Sequence, residues 1–169
     1  ALQLGHRKSI DLDLFGSATF DPDALFSILK DLGKSAKINF KAKNTLGLFI
    51  DDVKVDIIRY DFPLIRPLIT SNAVRLLSIP DIAAMKLSAI AKRGAKKDFW
   101  DLYFILKKYS LEDLVDFYKQ KFDEASLFFV LKSLTFFEDA DREPDPIMII
   151  SEDWETIKTQ IRTEVNNFL

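Results

Sequence analysis

Hydrophobic and polar positions follow two different periods along the chain. The first part contains short β-rich runs, some with loosely alternating apolar and polar residues, which are typical of strands, and Asp51 with Asp52 separates two of these runs as a hairpin turn. Within residues 22–32 the apolar spacing is helical instead, and Asp21 with Pro22 forms a typical helix start. The predicted strands cover residues 9–15, 35–43, 46–50, 53–60 and 74–79.

From Pro80 onward, apolar residues recur every three to four positions, as on the buried face of an amphipathic helix. Asp81 is predicted to cap the first helix of this part, and Gly94 is predicted to end it. The predicted helices cover residues 81–93, 96–108, 111–122, 126–137 and 154–168. This order predicts an α+β fold, in which a small mixed sheet flanked by helices is followed by a C-terminal helical bundle. We place the domain boundary between residues 1–79 and 80–169.

Composition excludes several functional classes. The 169 residues are 48% hydrophobic and 30% charged, which is typical of a folded domain, and the net charge of −2 provides no general attraction for nucleic acid. The absence of cysteine excludes disulfides and thiol chemistry, and the single histidine, His6, excludes a multi-histidine metal centre. No apolar run reaches transmembrane length and no signal-peptide pattern opens the chain. We therefore expect a cytoplasmic protein without membrane contact.

Two aspartates in the first predicted strand are candidate metal ligands. Asp11 and Asp13 stand one residue apart among apolar neighbours, so a strand directs both carboxylates to one face. Two like charges repel each other there, and a cation on that face would relieve the repulsion. The D-x-D pattern therefore predicts a Mg²⁺ site, which is typical of phosphate chemistry. An exposed edge strand with two solvated acids is the alternative interpretation.

A third aspartate lies in a later predicted strand. Asp56 is flanked by Val55 and Ile57, and it shares its face with Lys54 and Ile58. Two-metal phosphoryl transfer requires about three carboxylates, because two Mg²⁺ ions have to be held while each retains waters or substrate oxygens. If the two strands are neighbours, Asp56 is a third metal ligand or a general base. An outward-facing acid on an alternating strand is the alternative.

The predicted helical part supplies basic and acidic candidates. Lys86 and Arg93 are about two turns apart on one side of the same predicted helix. Asp98 and Asp101 share a face in the first turn of the next helix. The functional interpretation makes Lys86 a ligand of a triphosphate, and Asp98 the anchor of a basic side chain or a participant in the site. Alternatively, the two cations are solvated, and the two acids stabilise the helix by interacting with its dipole at the N-terminus, an interaction worth about 1 kcal/mol or less.

Several segments, taken in order, carry a family resemblance. The first is A-L-Q-L-G-H-R-K-S-I-D-L-D-L-F at 1–15, followed by the strand aspartate of K-V-D-I-I at 54–58. The next, at 79–103, contains a Lys…Arg helix and then a K-D-x-x-D segment. The last is the segment at 141–148 together with Trp154. This combination, which covers essentially the whole chain, resembles the nucleotidyltransferases of the AbiEii/AbiGii toxin family.

The resemblance implies a polymerase-β-like nucleotidyltransferase sheet followed by a helical bundle. It also implies that Asp11 and Asp13 bind Mg²⁺ and that Asp56 completes the carboxylate set. Lys86 would meet the nucleotide phosphates, and Asp98 would be the second acid of the family pattern. Further substrate contacts are implied for Arg7, Ser9, Arg93, Lys97 and Asp101. Family members act as toxins of type IV toxin–antitoxin pairs in abortive infection, and some transfer nucleotides to tRNA 3′ ends. We therefore expect an NTP substrate, an RNA or tRNA acceptor and a cognate antitoxin.

One part of the family pattern falls before residue 1. In the family, a Gly-Gly or Gly-Ser pair precedes the corresponding helix, and its backbone N–H groups cradle the triphosphate. Residues 1–8 are typical of the last turns of a helix that ends at Gly5, so we expect the natural N-terminus to be missing. Without the cradle, several charge-assisted hydrogen bonds of roughly 1.5–3 kcal/mol each are lost. We therefore expect weak or absent transfer by this polypeptide.

Two other functions would use the same residues. A catalytically degenerate nucleotidyltransferase fold would bind nucleic acid or a partner protein, and small-molecule nucleotidylation would use the same carboxylates. A local basic cluster suits RNA, or else it is a solvated junction between helices; its members are Lys92, Arg93, Lys96 and Lys97. Helical spacing predicts core positions for Phe99, Phe104, Phe117, Phe122, Phe128 and Phe129. The remaining candidates for an interface are Trp100, Phe136 and Phe137.

Overall fold

The computed structural model describes residues 1–31, 35–122 and 126–169, and the elements below are those of the described residues. The strands are β1 (Asp11–Gly16), β2 (Ala36–Ala42), β3 (Thr45–Ile50), β4 (Val53–Arg59), β5 (Ile69–Ser71) and β6 (Val74–Leu76). The helices are α1 (Pro22–Asp31), α2 (Ile79–Arg93), α3 (Lys96–Leu106), α4 (Leu111–Lys121), α5 (Leu127–Ser133), α6 (Glu138–Asp141) and α7 (Trp154–Phe168). The predicted α+β class, a small mixed sheet followed by a helical bundle, is confirmed.

Ser9–Phe62 forms one compact unit, which we call the sheet unit. Its strands are ordered β1-β4-β3-β2 in the described residues, with β1 parallel to β4 and the other neighbours antiparallel. Asp51 and Asp52, which connect β3 to β4, both have positive φ angles (47° and 65°). A two-residue hairpin turn whose twist matches that of its strands requires this conformation. Leu46 and Leu48 of β3 are fully buried and anchor the apolar side of the sheet.

Ala1–Lys8 and Pro63–Leu169 form a second compact unit, which we call the helical unit. Its core is built from apolar side chains at helical spacing, as the amphipathic pattern predicts. Fully buried members of this core include Leu87, Phe99, Leu102, Leu114, Ile157 and Ile161. The sequence-based boundary at residues 79 and 80 lies within this unit, because the β5–β6 hairpin belongs to it. Every described helix is too short or too polar to cross a bilayer.

A buried ion pair links α2, α4 and the segment before β5. Ser78, rather than the predicted Asp81, is the N-cap of α2, and its hydroxyl accepts a hydrogen bond from the N–H of Asp81. The Asp81 carboxylate accepts hydrogen bonds from the backbone N–H groups of Ile65 and Arg66, at 2.9 and 3.2 Å. It also accepts one from Lys121 Nζ at 2.8 Å, and both side chains of this pair are fully buried. Since the carboxylate oxygens are hydrogen-bonded, the buried charge is stabilised by its partners.

Several sequence predictions differ from the observed elements. Residues 126–137 are predicted as one helix, but α5 ends at Ser133 and the separate α6 follows. The strand β5 is not predicted, and β6 ends at Leu76 because the N-cap of α2 follows at Ser78. The predicted end of the first helix at residue 32 lies outside the described residues.

The aromatic predictions are only partly right. Phe128 and Phe129 are predicted as core residues but are 77% and 56% exposed. Conversely, Trp100 and Phe137 are predicted interface candidates but are only 2% and 3% exposed. Both belong to the core, where Trp100 stacks against Trp154 with the ring centroids 6.5 Å apart.

Candidate functional site

One face of the sheet unit carries the three aspartates that the sequence singles out. The parallel register places Asp13 of β1 opposite Asp56 of β4, and Asp11 opposite Lys54. Opposite residues of neighbouring strands point to the same side of a sheet. These four side chains therefore form one charged surface, which we call the carboxylate face.

Lys54 is the internal counter-ion of the carboxylate face. Its Nζ donates a hydrogen bond to Oδ2 of Asp56 at 2.7 Å, and this bond raises the pKa of Lys54. Partial burial opposes the shift, whereas the negative charges of Asp56, Asp11 and Asp13 add to it. All three carboxylates therefore act on the same cation. Ser9 lies beside them, with Oγ 3.1 Å from Oδ1 of Asp11.

Gly47 of β3 provides the space that the Asp56 side chain occupies. The antiparallel register places Gly47 opposite Asp56, and a Cβ on Gly47 would lie 3.0 Å from Oδ1 of Asp56. It would also lie 3.4 Å from Cβ of Phe40. Sequence reasoning does not single out Gly47, although a glycine inside an apolar strand run is a known signal of a close approach.

The carboxylate face has the donor chemistry of a site for a hard divalent cation. Mg²⁺ prefers carboxylate oxygens, and Asp11, Asp13 and Asp56 present them on one side of the sheet. Within residues 1–31, 35–122 and 126–169, no group of three or more His, Cys, Asp or Glu side chains is close enough to hold one ion. The donors therefore fit Mg²⁺ by their chemistry and common face, and joint ligation requires side-chain rotamers other than those observed.

A second cluster lies in the helical unit and is centred on Asp101 of α3. Its carboxylate accepts hydrogen bonds from Nε and Nη2 of Arg7, both at 2.7 Å, and from Nε2 of His6 at 2.8 Å. Lys86 Nζ of α2 lies 2.5 Å from Oδ2 of Asp101. Burial alone would raise the pKa of Asp101, but the hydrogen bonds from His6 and Arg7 and the charge of Lys86 hold it well below its usual range.

Lys86 also joins Asp101 to a second buried carboxylate. Its Nζ donates to Oδ1 of Asp98 at 2.7 Å, and Arg93 binds both oxygens of Asp98 through Nε at 2.8 Å and Nη2 at 3.1 Å. Burial would raise the pKa of Asp98, but the hydrogen bond from Arg93 and the charge of Lys86 lower it. Burial alone would lower the pKa of Lys86, but the charges of Asp101 and Asp98 and the hydrogen bonds to them raise it. The buried ion network comprises His6, Arg7, Lys86, Arg93, Asp98 and Asp101.

The environment of Lys86 differs from that of an open phosphate ligand. Only 19% of its side chain is exposed, and its ammonium group already contacts two carboxylates. By contrast, 55% of the Arg93 side chain is exposed. Lys97 is half-buried in the first turn of α3. The contacts with phosphate or substrate that the resemblance implies for Lys86, Arg93 and Lys97 stay predictions.

Comparison with known proteins decides which family the chain belongs to. The family model described as "Nucleotidyl transferase AbiEii toxin, Type IV TA system" matches residues 1–168. The chain belongs to the AbiEii family. An Aquifex aeolicus (strain VF5) protein described as "Uncharacterized protein aq_aa25" is 33% identical to this AbiEii protein over an alignment of 180 residues. The alignment covers 99% of this chain and 83% of the relative.

A solved structure shares the fold of this AbiEii protein. The crystal structure of JHP933 from Helicobacter pylori matches it with a TM-score of 0.58 at 18% sequence identity. The match covers 95% of this chain and 75% of the other. The family match confirms the resemblance found in the sequence, and it supports a transferase-like role of the AbiEii type.

The structure of this AbiEii protein gathers the predicted site residues other than Lys97 into two groups. The carboxylate face contains Asp11, Asp13 and Asp56, with Ser9 beside Asp11. The buried ion network contains Arg7, Lys86, Arg93, Asp98 and Asp101. Sequence reasoning missed His6 as a hydrogen-bond partner of Asp101, since the two lie 95 residues apart. A single histidine next to an arginine gives no local signal of such a contact.

Proposed function

We propose that this AbiEii protein is a Mg²⁺-dependent nucleotidyltransferase that transfers a nucleoside monophosphate from an NTP to a hydroxyl group of an RNA, tRNA included. We further propose that it acts in the cytoplasm as the toxin of a type IV toxin–antitoxin pair with a separate antitoxin. The observation that carries the proposal is the register of β1 and β4, in which Asp13 stands opposite Asp56 and next but one to Asp11. Family membership supports the reaction class.

The three carboxylates have distinct roles in this proposal. Asp11 and Asp13 would hold Mg²⁺, and Asp56 would complete the set. When bound, the ion supplies charge neutralisation at the triphosphate. The Ser9 hydroxyl, which lies within hydrogen-bond distance of Oδ1 of Asp11, would orient that carboxylate. Lys54, whose Nζ donates a hydrogen bond to Oδ2 of Asp56, would orient that carboxylate.

The transfer forms one bond and breaks one. The acceptor oxygen attacks the α-phosphorus of the NTP, the bond to the bridging β-phosphate oxygen breaks, and pyrophosphate leaves. Asp56 is our choice for the group that takes the hydroxyl proton. Its Oδ2 is bonded to Lys54, so Oδ1, on the side of Gly47, is the oxygen that we assign to this step.

A direct transfer assay tests the proposed reaction. The purified chain is incubated with Mg²⁺, total tRNA and each α-³²P-labelled NTP in turn, and the label is followed on denaturing gels. We expect slow labelling of RNA with at least one NTP, because transfer by this polypeptide is expected to be weak, and no labelling after chelation of Mg²⁺ by EDTA. Label in a small-molecule product but not in RNA would contradict the RNA acceptor. RNA binding without transfer of label would instead indicate a non-catalytic binding module.

Replacing Gly47 with Ala is expected to reduce the transfer rate roughly tenfold, because a small displacement of a reacting group weakens catalysis. The added Cβ would lie 3.0 Å from Oδ1 of Asp56, so the carboxylate has to move. Gly16→Ala is the matched control, since a Cβ there has nothing within 4 Å. Rates are measured in the transfer assay together with melting temperatures. Equal rates for Gly47→Ala and the unmodified chain would contradict the assignment of Oδ1.

A further inference from the structure

The carboxylate face continues across the sheet into β3 and β2. Two rows of opposite residues run from β1 to β2, and the residues within a row share one side of the sheet. The two rows are Asp11-Lys54-Phe49-Lys37 and Asp13-Asp56-Gly47-Phe40. Two phenylalanine rings therefore stand on the same surface as the three aspartates.

Both rings of this surface are substantially exposed. Phe49 is 40% exposed and Phe40 is 55% exposed. Single exposed apolar residues are common on proteins, but two of them beside a polar site are typical of ligand recognition. Phe49 also forms a wall of two cavities, with volumes of about 280 and 380 Å³. The ring is therefore accessible from two sides.

The lining of these cavities favours a ligand that is flat and uncharged. The other lining residues are Ser35, Lys37, Asp51 and Asp52 in the first cavity and Ile10, Asp11, Asp52 and Lys54 in the second. Each cavity combines a lysine donor with carboxylate acceptors. A nucleobase matches this combination, because it has faces for stacking and an edge with donors and acceptors. Phosphate groups match the first cavity poorly, since Asp51 and Asp52 line it and neither is a proposed metal ligand.

We propose that Phe49 is a stacking platform for the 3′-terminal nucleobase of a single-stranded RNA acceptor. This inference rests on the proposed function, because it names the acceptor of the same reaction. The strand β4, which carries Asp56, lies between β1 and the β3 strand of Phe49. A base on Phe49 thus lies beside β4, where Asp56 would take the proton of the acceptor hydroxyl. The NTP phosphates belong with the metal ligands of β1, which lie beyond β4 on the same face of the sheet.

Binding experiments test the stacking platform without relying on turnover. A fluorescein-labelled RNA of about eight nucleotides, with an intact or an abasic 3′-terminal nucleotide, is titrated with the full chain in Mg²⁺ and without NTP. Fluorescence anisotropy gives both dissociation constants. We expect the intact RNA to bind roughly 5- to 100-fold more tightly, which is the range for stacking of one base. Phe49→Leu is expected to abolish this preference, and Phe49→Trp is expected to retain it.

The control and the contrary outcomes separate this inference from the proposed reaction. Phe128→Leu removes a 77% exposed ring from the helical unit and is expected to keep the preference for the intact RNA. An unchanged preference in Phe49→Leu, or none in the unmodified chain, overturns the inference. Weaker binding of a fluorescent NTP by Phe49→Leu, with the RNA preference intact, would assign the ring to the NTP base and also overturns it. A preference that depends on Phe49, in a chain without transfer activity, supports the platform and contradicts only the reaction.

Discussion

Replacing Asp13 with Asn is expected to reduce the transfer rate about 100- to 1,000-fold, which corresponds to roughly 3–4 kcal/mol of activation free energy. Asp13 lies opposite Asp56 and next but one to Asp11, so the neutral amide removes one of the charges that would hold the divalent ion. The Asp13→Asn variant is expected to require a higher Mg²⁺ concentration for its residual transfer than the unmodified chain requires. Single-turnover assays over a Mg²⁺ titration measure both effects.

The Asp13 substitution is expected to leave the fold intact. Asp13 is exposed and has a like charge opposite it, so the free energy of unfolding changes by less than about 0.5 kcal/mol. The matched control is Asp61→Asn, because Asp61 is 57% exposed in the same unit and pairs with Arg59 at 2.9 Å. The control is expected to keep its full rate. If Asp13→Asn is equally active, the carboxylate face is not a metal site and the solvated-acid interpretation of the sequence holds.

Replacing Asp101 with Asn is expected to lower the free energy of unfolding by about 3–5 kcal/mol. Asp101 is 1% exposed and receives hydrogen bonds from Arg7 and His6, with Lys86 at its other oxygen. An amide leaves the buried cations of Arg7 and Lys86 without this countercharge. Asp116→Asn on α4 is the control, because Asp116 is 62% exposed and is expected to change the unfolding free energy by less than about 0.5 kcal/mol. Urea denaturation of both variants measures the difference, and a similar stability would contradict the importance of the network.

The lowered pKa of Asp101 predicts that acid destabilises the fold. The pKa of Asp101 is lowered in the folded chain relative to about 3.9 in the unfolded chain. Its contribution to stability is therefore fully present above about pH 4 and is lost as the pH falls further. The curve of unfolding free energy against pH is expected to be flatter for Asp101→Asn than for the unmodified chain below about pH 4. Parallel curves in that range would contradict this assignment.

Local periodicity predicts most elements, but it does not predict which strands pair. Asp11 and Asp13 alternate with apolar residues, and this pattern is sufficient to indicate a strand with both acids on one face. The neighbouring position of Asp56 is not encoded locally, because a parallel pair needs a long connection and its register depends on tertiary packing. The sequence therefore supplies the candidate residues, and the fold supplies their proximity.

The helical unit follows the same division between local and distant information. Helical spacing predicts that Asp98 and Asp101 share a face, and in the structure Lys86 contacts both. Arg7 and Asp101 are 94 residues apart, so no periodic pattern in the sequence predicts their contact. In the short helix α5, Phe128 and Phe129 are exposed whereas the adjacent Val130 and Leu131 are buried, so hydrophobic spacing alone does not show which side of this helix faces the core.

The path of the chain through its two units sets an order of assembly during synthesis. The backbone N–H of Lys8 donates to the carbonyl of Ile147 at 2.8 Å, and the backbone carbonyl of His6 accepts from the N–H of Ile149. Both residues therefore belong to the helical unit, although the sheet unit follows them in sequence. On the ribosome, all the strands of the sheet unit emerge before Ile147 and Ile149, the partners of Lys8 and His6, are synthesised. We therefore expect the sheet unit to form first and the segment around His6 to dock late, since closing such a long loop has to await its distant partner.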